Sequence, residues 1–306
     1  MINYYFRSLK DEGIKRIDHQ RKGCWIEVVD PSEEEINFLS QELGLDKGHL
    51  TDALDVYESP RLEIEGGDVY VFLRVPFSSE SMVHTLPVLF VLTENWVVTV
   101  VSRQIPLFDD FLSGKINVFT TQKSKFLVQL FLKVNSLFRN FIDIIGKNIW
   151  LRQGKIMRIS EEDIVSFVQW EEILNDFINS LVPTTAIYKL LLSKQYLKFF
   201  KEDKDLIEDL LLSSEEILDI CKTKIKAMVN LREAYSTLMT NNLNRAIKFL
   251  TAITIVFTVP TIIASLWGMN VKLPFQDHPL AFLFIIGITF VIALLLFKLF
   301  SKKDWL

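Results

Sequence analysis

From Phe249 to Asn270 the chain runs for 22 residues without a formal charge, and from Pro279 to Phe297 for another 19, dense in Phe, Ile and Leu. At about 1.5 Å rise per residue the first run spans roughly 33 Å as a helix, enough to cross the hydrocarbon core of a bilayer. Eight residues, 271–278, join the two runs, so the pattern predicts a C-terminal transmembrane hairpin. The arms differ in kind. The second is apolar on every face apart from Gly287 and Thr289, as suits a helix against membrane lipid. The first carries Asn244 and Ile247, then Thr251, Thr254, Thr258, Thr261 and Ser265, and last Gly268, spaced alternately by three and four residues. Such spacing draws one stripe along one helix face. Two readings stand side by side: hydroxyls bonded to a neighbouring helix or to the preceding turn, or the wall of a water-filled pore. One helix cannot enclose a pore, so the second reading requires a ring of subunits.

Upstream of the hairpin the pattern is helical. No glycine occurs between Gly154 and Gly268, and only Pro183 and Pro260 interrupt. Helices are predicted over Glu161–Leu181 and Pro183–Phe200. The series Leu218, Cys221, Ile225, Met228, Leu231, Tyr235 and Leu238 then repeats at three and four residues and enters the first span without a break signal. The simplest expectation is one helix from about Ser214 to Trp267, roughly 80 Å long, serving as a coiled stalk, a mechanical link, or both.

The first third alternates instead. Cys24–Val29 predicts a strand ended by Asp30-Pro31; Arg61–Glu65 and Asp68–Val75 flank Gly66-Gly67 as a hairpin; Leu86–Leu92 and Trp96–Val101 flank Thr93-Glu94-Asn95 as another. Helical patterns lie at Glu33–Leu43 and around His49–Val56. The expected organisation is an α/β cytosolic domain over 1–120, a helical region over 121–212 and a stalk over 213–248. After these come a first membrane helix over 249–270, an outer loop over 271–278, a second membrane helix over 279–298 and a basic tail over 299–306.

Charge sharpens this picture. Of 34 basic and 38 acidic residues, the last 66 positions hold six and two, which leaves residues 1–240 with 28 and 36, a net of −8. Nucleic-acid binding needs a basic face and is disfavoured. Arg245 and Lys248 precede the first span, and Lys298, Lys302 and Lys303 follow the second. The positive-inside rule therefore predicts both termini in the cytosol and the loop outside. Met1–Gly13 has no apolar core, so no signal peptide is expected. Cys24 and Cys221 stand far apart, without disulfide or zinc spacing. No glycine pattern forms a phosphate-binding loop, the histidines His19, His49, His84 and His278 show no ligand pairing, and no nucleophile elbow is present. Enzyme chemistry and a resident cofactor are not expected.

At the outer end of the first span stands Trp267-Gly268-Met269-Asn270, with Pro274 shortly after. This resembles the G-M-N signature of the CorA family of magnesium transporters, whose members end in two membrane helices with this tripeptide closing the first. Tyr235-Ser236 through Asn241 to Asn244, Leu250-Thr251, and the tail Lys302-Lys303-Asp304-Trp305-Leu306 resemble the family too, as do Trp25-Ile26 and Asp52 followed by Pro60-Arg61 and Glu63. The resemblance implies a homopentamer in the cell membrane with the first spans around a central pore. It implies Mg²⁺ as both substrate and regulatory ligand, with Co²⁺ or Ni²⁺ as further cargo. Asn270, with Gly268 and Met269, would form the outer ion-binding ring. Thr251, Thr254, Thr258, Thr261 and Ser265 would line the wall, Ile247 and Leu250 would form an apolar constriction, and Asn244 a polar ring at the cytosolic end. Asp52 and Asp209 would form a sensor of cytosolic Mg²⁺ between neighbouring subunits. Gly268 is expected to turn the chain out of the helix. Tryptophan precedes the glycine where tyrosine is usual, and the loop lacks the family's acid after its proline, leaving Asp277 in a shifted register. A ZntB-like zinc carrier and a membrane-tethered signalling module are the alternatives.

Overall fold

The structure is a computed structural model that describes residues 1–79, 82–153, 159–193, 201–271, 278–303 and 305. The chain divides into two compact units, Met1–Asn230 and Leu231–Leu306.

The first unit is built on a seven-stranded mixed sheet. Its strands are β1 (Ile2–Phe6), β2 (Lys15–Ile17), β3 (Trp25–Val29), β4 (Arg61–Glu65), β5 (Asp68–Ser79), β6 (Met82–Leu92) and β7 (Val97–Val101). They lie in the order β2-β1-β3-β7-β6-β5-β4, with β3 and β7 parallel and every other neighbour antiparallel. Both hairpins expected from the sequence form. Gly66 and Gly67 have φ of 61° and 92°, the left-handed pair that a tight two-residue turn requires. In the other turn, the Thr93 hydroxyl accepts from the Asn95 and Trp96 N–H groups at 3.1 and 2.9 Å.

Both faces of the sheet are covered, so its central strands read as continuous apolar runs. One face carries Ile26, Val28, Tyr70, Phe72, Leu89 and Val98 against helix α1 (Glu33–Leu43) and helix α2 (Lys47–Asp52). Helix α1 starts at a capping box, Ser32 with Glu35, and stops at Gly44, whose φ of 70° suits the left-handed cap. The opposite face holds Trp25, whose indole N–H donates to the Thr99 hydroxyl at 2.9 Å and whose ring packs on Phe108 and Phe126. Phe108 stands at the start of the short helix α3 (Asp109–Leu112), and Phe126 belongs to α4 (Lys123–Gln153). There, too, Phe90 meets Phe131 of α4 edge-on, at 5.2 Å between centroids.

Two helices differ from the expectation. Helix α5 (Glu161–Leu192) is continuous through Pro183 rather than broken there. A proline inside a helix costs roughly 3 kcal/mol. The flanking turns outweigh it by burial of Leu181, Thr184, Ile187 and Tyr188, and the Thr184 and Thr185 hydroxyls donate to the carbonyls of Ser180 and Leu181. The end of the second expected helix, 194–200, lies outside the described residues. Helix α6 (Lys201–Trp267) begins well before Ser214. Its early turns bury Ile207, Leu210 and Ile217, receive the Asn135 amide on the Leu210 carbonyl at 3.2 Å, and bring the Ser214 and Thr185 hydroxyls together at 2.7 Å.

The second unit contains the remainder of α6 and helix α7 (Ala281–Lys302), both long and apolar enough to cross a membrane. Helix α7 presents a half-buried or buried stripe of Ala281, Ile285, Thr289, Ile292, Leu296 and Phe300. On α6 the matching covered positions are Ala252, Val256, Val259, Ile263 and Trp267, of which Ala252 is fully buried. Each set recurs at three and four residues and so marks one face of its own helix. Lys272, Pro274 and Asp277 of the loop, and Asp304 and Leu306 of the tail, lie outside the described residues. Trp305 stacks on Phe300 at 5.5 Å.

Candidate functional site

At 100° per residue, Asn244, Ile247, Leu250, Thr251, Thr254, Thr258, Thr261, Ser265 and Gly268 fall within an arc of about 120° on α6. All of them are exposed, and the arc stands roughly opposite the covered stripe. The face is a shallow open groove through Thr254, Thr258, Thr261 and Ser265, bordered by Phe257 and Ile262. Its hydroxyls are not idle: Thr254 donates to the Leu250 carbonyl at 2.8 Å, Thr258 to Thr254 at 2.7 Å and Thr261 to Phe257 at 2.9 Å. A hydroxyl has one proton and two lone pairs. With each proton committed to the preceding turn, these three threonines present acceptors outward. Back-bonding thus leaves the exposed face of these three threonines an acceptor surface.

At the end of this face the Gly268 N–H donates to the Ala264 carbonyl at 3.0 Å and the Met269 N–H approaches the Leu266 carbonyl at 3.4 Å. Gly268 lies outside the positive-φ region, as does Asn270. Helix α6 ends at Trp267 and the chain leaves it at Gly268, whose N–H still bonds to the last turn and whose φ is not positive. Met269 and Asn270 follow as exposed residues. Ahead of α7, His278 accepts at Nδ1 from the Leu280 N–H at 3.3 Å.

The acidic residues singled out in the sequence lie in the first unit. Asp52, at the end of α2, is paired with Arg61 of β4, whose Nη2 stands 2.7 Å from Oδ2. The same guanidinium binds Glu58 and Glu63 and lies over the Phe72 ring at 4.0 Å. Burial pulls the Arg61 pKa down, and the hydrogen bonds to Glu58 and Glu63 outweigh it, leaving it above its ordinary value. Asp209 is exposed on α6. Within one chain Asp52 and Asp209 sit on different elements, α2 and α6, and the partner of Asp52 is Arg61. The Arg61 clasp on Asp52 is not legible in the sequence, where Arg61 counts only toward a family resemblance and not as a charge partner.

The comparison with known families bears on the whole chain. The description "CorA-like Mg2+ transporter protein" belongs to a family model that matches residues 20–303. The chain belongs to this CorA family. Among its CorA relatives is the cobalt/magnesium transport protein CorA of Methanocaldococcus jannaschii, 24% identical over 92% of this chain and 91% of the relative. The cobalt/magnesium transport protein CorA of Thermotoga maritima is 22% identical over 98% and 88%. The solved structure of the complete Methanocaldococcus jannaschii CorA magnesium transporter superposes with a TM-score of 0.89 at 22% identity, covering 100% of this chain and 99% of the other. The cytoplasmic domain of ZntB from Vibrio parahaemolyticus is similar in fold over 78% of this chain, with a TM-score of 0.64 at 8% identity. The chain thus has the fold of a complete CorA protein, a membrane transporter with two C-terminal spans, and the zinc-carrier alternative has the weaker likeness.

Proposed function

We propose that this chain is one subunit of a homopentameric CorA channel that carries Mg²⁺ into the cell, with Co²⁺ or Ni²⁺ as further cargo. The observation that carries the reading is the exposed hydroxyl stripe of α6, which lies opposite the covered stripe and leads to Asn270 in a chain of the CorA family. Mg²⁺ dehydrates reluctantly, so a path for it should receive the hydrogens of its bound water. Threonine oxygens whose own protons are held by the helix do that, and weakly enough to let the ion go on. Five Asn270 carbonyl oxygens would gather the hydrated ion at the outer mouth, beside Gly268 and Met269. Ile247 and Leu250, 53% and 65% exposed, would close into an apolar constriction, with Asn244 as a polar ring beyond it. The basic flanks put both termini in the cytosol and the hairpin tip outside, in the plasma membrane. An inside-negative potential then supplies about 4.6 kcal/mol per 100 mV for a divalent ion, twice the single-charge value, so no ATP site is needed. Regulation would come from cytosolic Mg²⁺ bridging Asp52 of one subunit and Asp209 of the next, since facing carboxylates repel until a cation joins them.

The test is Mg²⁺ uptake into liposomes by the full chain and by Asn270→Ala. Loss of uptake with an unchanged oligomer on size-exclusion chromatography is expected. Uptake equal to that of the unaltered protein would remove the central assignment.

A further inference from the structure

Far along the sequence from the ion path, the fold assembles a set of side chains that the spacing did not announce. Asp46 caps the start of α2, and its Oδ1 accepts from the His49 N–H at 2.8 Å. Its own N–H donates to the Tyr70 hydroxyl at 3.0 Å. The His49 ring rests on Tyr70 at 4.5 Å and near Phe72 at 6.0 Å. Across from it, Glu63 and Glu65 occupy alternate positions of β4 and so share one face of the strand. One ligand atom each from Asp46, His49 and Glu65 can be chosen so that all lie within 4.8 Å of one another.

His49 gives this cluster its meaning. Its side chain is only 9% exposed, and its Nε2 is buried without a hydrogen-bond partner. That nitrogen stands 3.4 Å from Glu63 Oε2 and 3.5 Å from Glu65 Oε2. Charge-assisted hydrogen bonds run at about 2.7–2.9 Å, so the two carboxylates stop short of the imidazole. The gap has another fit. Ligands held about 2.0–2.1 Å from a four-coordinate cation are about 3.4 Å from each other along a tetrahedral edge. We propose that His49, Asp46 and Glu65, with Glu63 at the margin, bind one divalent transition-metal cation of the zinc or cobalt class.

The ligand set selects the class. Mg²⁺ takes oxygen and keeps its water, whereas a neutral imidazole beside carboxylates suits zinc, cobalt or nickel. The aromatic bed of Tyr70 and Phe72 fixes the ring, the Asp46 cap fixes the helix turn that carries it, and Glu65, with 61% of its side chain exposed, opens the site to solvent. The site also touches the acidic network. Glu63 offers Oε2 toward His49 while Oε1 is held by Arg61, which pairs with Asp52. A cation drawing Glu63 toward His49 therefore competes with Arg61 for one carboxylate and loosens the clasp on Asp52.

The experiment is titration of the purified full chain with Co²⁺ alone, followed by visible ligand-field absorption, which is intense for four-coordinate Co²⁺ and weak for the hydrated ion. The band should saturate at one Co²⁺ per chain, vanish on adding Zn²⁺ and resist excess Mg²⁺. Glu65→Gln, an exposed change that spares the core, should weaken Co²⁺ binding by about tenfold or more; His49→Leu should abolish the band. Asn270→Ala should leave it intact, so the outcome is independent of the transport reading. A hydrated-ion spectrum only, or a band that survives unchanged in Glu65→Gln and in whichever His49→Leu protein folds, would overturn the site and leave His49 as a buried partner of two glutamates.

Discussion

Arg61 Nη2 donates to Asp52 Oδ2 across 2.7 Å, and the same guanidinium also serves Glu58 and Glu63. Asp52 is therefore neutralised inside its own subunit before any cation arrives. If it senses cytosolic Mg²⁺, the ion must take the carboxylate from an arginine. Arg61→Gln should free it and lower the Mg²⁺ concentration at which the channel closes. A partly exposed pair is worth up to about 1 kcal/mol, so the shift should reach about fivefold. Liposome flux measured against internal Mg²⁺ gives the threshold; an unmoved or raised threshold contradicts the role of Asp52.

Asp209 is exposed on α6, where nothing buries the carboxylate. Asp209→Asn should leave the folding stability within about 0.5 kcal/mol of that of the unaltered protein. It should nevertheless raise the internal Mg²⁺ needed for closure. The combination separates a ligand from a structural acid, and a fall in stability with no change in threshold would assign Asp209 to folding alone.

Thr258 lies on the uncovered face of α6 and donates its proton to the Thr254 carbonyl at 2.7 Å. Thr258→Val keeps the shape and the helix and removes the outward acceptor. Losing a water contact of about 1 kcal/mol should lower Mg²⁺ flux by about fivefold, and Thr258→Ser should restore it. Full flux through the valine variant would place this face away from the ion path.

Much of this arrangement is legible in the sequence, and the reasons differ by element. The membrane arms and the α6 stripe declare themselves because a bilayer demands long uncharged helices and one face demands a fixed period. The Gly66-Gly67 hairpin does so because few residues accept that turn. Strands β1 and β2 escape notice because Lys15 and Arg16 are exposed and because β1 is held by β3, and the edge strand β2 by β1, rather than by their own pattern. The unbroken helix through Pro183 follows from tertiary burial, which local propensity does not report. The cluster around His49 is silent for a related reason: α2 and β4 bring together residues whose spacing matches no short ligand motif.

Gly268 sits just past the last residue of α6, and its N–H still donates to the Ala264 carbonyl of the final turn. A Cβ added there would lie 3.4 Å from that carbonyl, an ordinary contact. Alanine is the better helix former by about 1 kcal/mol. Gly268→Ala should therefore keep the helical content and the oligomer and hold or raise the thermal midpoint. Any loss of Mg²⁺ uptake then belongs to the shape of the mouth. A variant that fails to assemble would show that the position has no room for a methyl group in the assembled protein.

Tyr5 donates to the buried Glu27 carboxylate at 3.3 Å, and Asn3 donates to the same oxygen at 3.1 Å. Burial, and then the charge of Glu27, push the Tyr5 pKa from 10.0 up to about 12. The folded state thus holds the proton more tightly than the unfolded chain does. The resulting stability is fully present below pH 10 and is lost as the pH rises through about 12. Tyr5→Phe removes that proton and the hydrogen bond, so the variant should be less stable at neutral pH and should lose stability less steeply on the alkaline side. Thermal midpoints of the full chain across this range give both slopes. Parallel curves for the two proteins would show that neither burial nor the Glu27 carboxylate raises the Tyr5 pKa in the folded protein.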